Sequence, residues 1–178
     1  ATPYWTGTTD GTTLTDDSEV RGVNVEDGWM MFDTSVLTIP MGAEIINIEF
    51  NGYVNDVNWP YWAINNITAD PLTAAPADLY ADIQGGGDYA YIAEGSSAAV
   101  GWRVVDLGGT ANADLTAALA QGWFGLGIMS DDNSTSWYIE FDGWNETNPP
   151  YLTVTYQEQP IEPPVAFFTQ YIEGSSNN

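Results

Sequence analysis

The 178-residue chain has no cysteine, no histidine and no lysine, and Arg21 and Arg103 are its only basic side chains. Each absence excludes a class of chemistry. Without cysteine there is no thiolate nucleophile, no disulfide and no thiolate metal site. Without histidine there is no Ser-His-Asp triad and no histidine haem ligand. Two arginines cannot build the basic groove that nucleic acid requires. An anionic membrane surface would repel a chain with 25 acidic residues and a net charge of −23. Long hydrophobic runs are missing too: no stretch approaches the roughly 18 to 20 apolar residues that insert across a bilayer.

What remains is rich in core material. Hydrophobic residues make up 44% of the chain, too many for an acidic disordered tail, and eight Trp with ten Tyr can fill a large interior. Charged residues are only 15%, nearly all of them acidic, so Thr, Asn, Ser and Gly share the work of solvation. Self-repulsion at this charge favours a high-salt or calcium-containing medium, and hence an extracellular or cell-surface location. The absence of cysteine means that stability there does not rest on disulfides.

Periodicity predicts strands. Residues 1–27 read as edge strands and turns, and Trp29-Met30-Met31-Phe32 as the first clear strand, closed by an Asp33 turn. From Ile46 the even positions Ile46, Ile48, Phe50 and Val54 are apolar while Asn47, Glu49 and Asn51 alternate with them, the period of a half-buried strand. Residues 68–99 read as a long excursion with one short helix or strand near Asp78–Ile83. Further strands are expected at 100–107, 123–129, 136–141 and 151–156. One helix is expected over about 112–121, capped by Asn112 and ended by Gln121-Gly122. About eight strands with no βαβ rhythm predict an all-β fold, an antiparallel β-sandwich of jelly-roll type with that one short helix.

Three segments follow from this reading. Residues 1–156 form the sandwich, 157–164 a Pro-rich extended linker, and 165–178 a lone apolar strand. Such a strand needs a partner, either as the start of a following domain of the same polypeptide or by pairing with a neighbouring subunit.

Two sets of motifs carry a resemblance. Gly28-Trp29-Met30-Met31-Phe32-Asp33-Thr34-Ser35 precedes Ile39-Pro40-Met41-Gly42-Ala43-Glu44-Ile45. Gly125-Leu126-Gly127-Ile128, Phe141-Asp142-Gly143 and Asn148-Pro149-Pro150-Tyr151-Leu152-Thr153-Val154-Thr155-Tyr156 follow towards the other end. In this order they resemble the opening and closing strands of a β-sandwich module of secreted Bacteroidetes proteins related to DNRLRE-type domains, over about residues 17–156. The Arg-Leu-Arg element that names that family is missing. Separately, Phe167-Phe168-Thr169-Gln170-Tyr171-Ile172-Glu173-Gly174-Ser175-Ser176-Asn177-Asn178 resembles the first strand of a lamin-tail-type domain. The resemblances imply a multidomain protein exported by type IX secretion, in which such modules stand beside proteases, nucleases or adhesive repeats.

Carboxylates are the only acid–base groups to hand. Glu140 and Asp142 fall two apart on one strand face, but a carboxylate pair alone carries no reaction signature, and no catalytic residue is assigned. Clustered oxygen ligands suit Ca2+ better, and the candidates are Asp16, Asp17 and Glu19, and Asp131, Asp132 and Asn133; polar turns use the same residues. Trp59, Tyr61 and Trp62 are the candidate ligand-binding residues, as a platform on which pyranose rings stack. Trp137 and Trp144 could serve the same purpose, whereas Trp102 and Trp123 read as core. Arg103 is expected in an ion pair. The function expected is that of a non-catalytic adhesive or spacer module, with carbohydrate binding and strand-mediated assembly as alternatives.

Overall fold

A computed structural model describes residues 3–16, 19–130 and 136–158. Eleven strands form two antiparallel sheets. They are β1 (Pro3–Thr9), β2 (Leu14–Asp16), β3 (Glu19–Val23), β4 (Asp27–Asp33), β5 (Glu44–Asn58), β6 (Tyr61–Ile67), β7 (Asp88–Ala93), β8 (Gly101–Asp106), β9 (Trp123–Ser130), β10 (Tyr138–Asp142) and β11 (Tyr151–Gln157). The first sheet runs β2-β1-β4-β9-β6-β7, and the second runs β11-β5-β10-β3 with β8 also paired to β5. The fold is thus the expected all-β sandwich. The linker beyond Glu158 and the strand expected at 165–172 lie outside the described residues.

The long strand β5 organises the second sheet. Glu49 to Asn51 pair with both β11 and β8, and Val54 pairs with both β10 and β8. A strand has two edges, so β10 and β11 follow one another along one edge and β8 takes the other. The alternation legible in the sequence sends Ile48, Phe50 and Val54 inwards, where they meet Ile139, Phe141 and Leu152 of their own sheet and Met30, Phe32, Trp62, Ile64, Leu126 and Ile128 of the other.

The helix content differs from expectation in two ways. First, there are two helices: α1 (Pro76–Gly85) stands in the stretch 68–99 where a helix or a strand was open. Its signals are Pro76 at the first turn, Asp78 beside the positive end of the helix dipole, and Leu79 and Ile83 one turn apart and fully buried. Second, α2 spans Gly108–Ala118 rather than about 112–121. Asn112 is therefore not its cap and sits inside the helix, where its carbonyl accepts from the Thr116 hydroxyl at 2.8 Å. Gly108, at φ 75°, follows the end of β8 and makes the turn that starts the helix, and its N–H donates to Asp106 Oδ1 at 2.8 Å.

These helices explain an otherwise odd burial pattern. Six of the seven residues of β4 are buried, on both faces. Met30 and Phe32 join the core between the sheets, whereas Trp29 and Met31 join a second cluster with Ile67, Leu79 and Ile83, on the side that α1 covers. The glycines of Trp123-Phe124-Gly125-Leu126-Gly127-Ile128 make room for this layer. A Cβ at Gly125 would lie 2.3 Å from Ile67 Cγ1, and one at Gly127 would lie 2.8 Å from Ile83 Cγ2. Meanwhile α2 packs against β5 of one sheet and β7 and β9 of the other, burying Ala111, Leu115 and Ala118 at the rim of the sandwich.

Candidate functional site: an exposed aromatic shelf

The strands β5 and β6 belong to different sheets, and the chain crosses between them through Asn58-Trp59-Pro60. At the crossing, Trp59 has φ 46°, the one positive φ of a non-glycine residue among the described residues. A bulky side chain there costs of the order of 1–3 kcal/mol, and such strain persists where the surroundings or a function over-determine it. Pro60 locks the next residue: it is buried, and its carbonyl accepts from the N–H groups of Glu94 and Gly95 at 3.2 and 3.1 Å.

This backbone places the Trp59 indole on the surface, 49% exposed. Its ring stacks on Trp137 with centroids 6.1 Å apart and planes inclined by 23°. Tyr61 approaches the same Trp137 ring at 6.0 Å and 35°. With Trp137 against it, the Trp59 ring stays half exposed. Three aromatic rings thus form a shelf at one end of the sandwich; all three were candidates in the sequence, and the structure brings them together.

Trp62 does not belong to the shelf. It is fully buried, its ring meets Phe141 edge-on at 5.3 Å, and its Nε1 donates to Glu94 Oε1 at 3.3 Å. The reason is strand periodicity: once Tyr61 points outwards, Trp62 must point into the core. Trp102 is corrected in the opposite direction. Read as core, it is 48% exposed on the outer face of the second sheet. Trp144 lies on Trp5, with centroids 5.8 Å apart.

The polar surroundings of the shelf come from β3, β5 and β10. Tyr138, opposite Asn58 in the ladder, donates its hydroxyl to Asp56 Oδ2 at 2.8 Å, and this bond holds the phenol's pKa above its ordinary value. The Arg21 guanidinium sits 4.7 Å from the centre of the Tyr138 ring and 3.9 Å from Glu140. Burial, and then the charge of Glu19, raise the Glu140 carboxyl above the usual carboxylate range, with Arg21 opposing them. Asn58 Nδ2 donates to the carbonyl of Ser136 at 2.6 Å and ties the shelf's two chain segments together.

Other expected residues serve the framework. Asp142, paired with Glu140 as a possible acid–base couple, is buried and accepts from Asn55 Nδ2 and from both the N–H and the side-chain amide of Asn148. Arg103 forms the expected ion pair, bidentate to Glu94 at 2.6 and 2.7 Å. Asp33 Oδ1 accepts from the N–H and hydroxyl of Ser35, as a turn-organising carboxylate should. Of the metal candidates, Asp16 and Glu19 are exposed and lie in different sheets, β2 at one edge of the first and β3 at one edge of the second. Asp17, Asp131, Asp132 and Asn133 lie outside the described residues. Among the described residues no three metal-ligating side chains gather together. A cleft of about 210 Å3 beside α2 is lined by Asn66, Asp114 and Gln121, and Tyr89 closes part of it by donating to Asp114 Oδ2 at 2.8 Å.

Neither a family model nor a curated protein matches the chain.

Proposed function

We propose that the chain is a non-catalytic β-sandwich module of a secreted or cell-surface bacterial protein, and that its role is adhesive, exercised by binding carbohydrate at the shelf of Trp59, Trp137 and Tyr61. The observation that carries this reading is Trp59: a strained backbone holds a half-exposed indole, backed by a second indole, where the fold's own packing has no need of it. A pyranose offers a C–H face to such a ring and hydroxyls to nearby amides and carboxylates, here Asn58 and Asp56. The high negative charge and the resemblance to secreted sandwich modules support an exterior location, with the other domains of the same polypeptide as covalent neighbours. The engagement of Asp142 and Glu140 in structural bonds supports the non-catalytic part.

A glycan array with Trp-fluorescence titration tests this. Wild type should bind at least one glycan, and Trp59→Ala and Trp137→Ala should each abolish that binding while melting as wild type does. An array with no binder, or a binder indifferent to both substitutions, would overturn the proposal.

A further inference from the structure

The outer face of the second sheet is built unlike an ordinary solvated strand surface. Two-residue alternation aims Glu49, Asn51 and Tyr53 of β5, Trp102, Val104 and Asp106 of β8, and Tyr151 and Thr153 of β11 to the same side. The register sets Tyr53 opposite Trp102, Asn51 between Val104 and Tyr151, and Glu49 between Asp106 and Thr153. The Trp102 ring centre lies 5.7 Å from Tyr53 and 5.8 Å from Tyr151, inclined at 76° and 62°. Tyrosines of β5 and β11 therefore meet the indole in steeply inclined contacts without burying it. Trp102 remains 48% exposed, Val104 61% and Tyr151 39%.

We infer that this face is a second ligand site, independent of the shelf, and that its occupant is a neutral polysaccharide lying across β8, β5 and β11 with one pyranose on Trp102. Three observations choose this occupant. The aromatic half of the face adjoins a hydrophilic half: Thr153, Glu49 and Asp106 stand there as acceptors for sugar hydroxyls, and Asn51, buried beneath them, donates its Nδ2 to Thr153 Oγ1 at 3.2 Å. No cation serves the face, because Arg103 is bound to Glu94 and Arg21 to Tyr138 and Glu140, so a uronate or sulfated glycan would meet carboxylates alone. A second copy of the chain fits poorly. Three partly covered rings supply a few hundred Å2 against the roughly 800 Å2 per partner of a stable interface, and both copies would carry −23.

The test is affinity electrophoresis in gels containing a soluble neutral glucan or galactomannan, with alginate as the anionic control and sedimentation velocity alongside. Trp102→Ala should weaken retardation by about tenfold or more, in line with truncation of a central interface tryptophan, while its melt stays close to wild type. Trp102→Phe should keep part of the affinity. Trp144→Ala removes an indole outside both sites and should change nothing. Trp59→Ala separates the two sites: the retardation that survives it is the retardation that Trp102→Ala removes. Four results would each overturn the inference: no retardation of wild type by any neutral glycan, retardation unchanged in Trp102→Ala, equal retention by alginate, or a dimer that Trp102→Ala dissociates. The last would make the face a self-association surface.

Discussion

Asp27 opens β4 with its carboxyl fully buried, and its side-chain hydrogen bonds come from a single group, Gln84 of α1, whose Nε2 donates to both oxygens at 2.8 and 3.1 Å. Burial pushes its pKa up to about 7 from 3.8; Gln84 pulls it back, and neighbouring Glu26 raises it further. The folded state therefore holds a proton that the unfolded state releases between about pH 4 and pH 7. Stability from this group is complete below the unfolded value and is lost as pH rises through the folded one. A gap of about three units at 1.36 kcal/mol each amounts to about 4 kcal/mol. Asp27→Asn keeps the shape and cannot ionise. It should match wild type near pH 4 and exceed it by about 4 kcal/mol at pH 8.5, a rise of roughly 8–16 °C in midpoint for a domain of this size. Denaturant melts of both proteins across pH 4–9 read the difference. The comparison must be between the two proteins, because the other carboxylates of so acidic a chain shift with pH in both. A difference that does not grow with pH, or that stays below about 1 kcal/mol at pH 8.5, would refute the reasoning.

Other substitutions separate residues kept for the fold from residues kept for the surface. Trp62→Ala should cost about 3–5 kcal/mol in a denaturant melt, whereas Trp59→Ala, three positions away, should shift it by under about 1 kcal/mol, since the indole is half exposed and alanine keeps the Cβ that strains the turn. Gly125→Ala should cost about 1–3 kcal/mol by pressing on Ile67, and Ile67→Val in the same chain should recover part of that in a double-mutant cycle. Adding NaCl should raise the thermal midpoint by screening carboxylate repulsion. Calcium at matched ionic strength separates screening from a bound ion: an equal shift removes support for a structural Ca2+, and a larger shift that Asp131→Asn abolishes establishes one.

Most of the sheet framework was legible because period two is written plainly where one face is buried, as in Ile48 to Val54; Ile46, expected on that face, is exposed instead, and Ile45 takes the buried place across a register shift against β11. The helix α1 was harder to read: between Pro76 and Gly85 only Leu79 and Ile83 are buried, too sparse a stripe to separate helix from strand. Trp102 shows the converse failure. An exposed aromatic on a strand carries the same sequence signature as a core one, and only the register that brings Tyr53 and Tyr151 to its sides reveals the difference. The shelf was half visible. The aromatic cluster at Trp59 and Tyr61 stood out, but Trp137 joins it through the pairing of β10 with β5, a contact that local pattern does not encode. Within Trp59-Pro60-Tyr61-Trp62, one residue of backbone phase decided which rings face water.

The layer formed by α1 over β4 and β9 makes the molecule two-sided. One broad face is upholstered: a helix and the side chains of Ile67 and Ile83 occupy the hollows that Gly125 and Gly127 leave. The opposite face, across β8, β5 and β11, is bare sheet with indole, phenol and carboxylate on show. A chain fixed to a solid support through its α1 side would meet a fibre or a wall with its bare sheet forwards, and one fixed through β8 would present the side that carries the helix. The direction in which such a module is mounted, and not its affinity alone, would then set how well a coated surface holds its target.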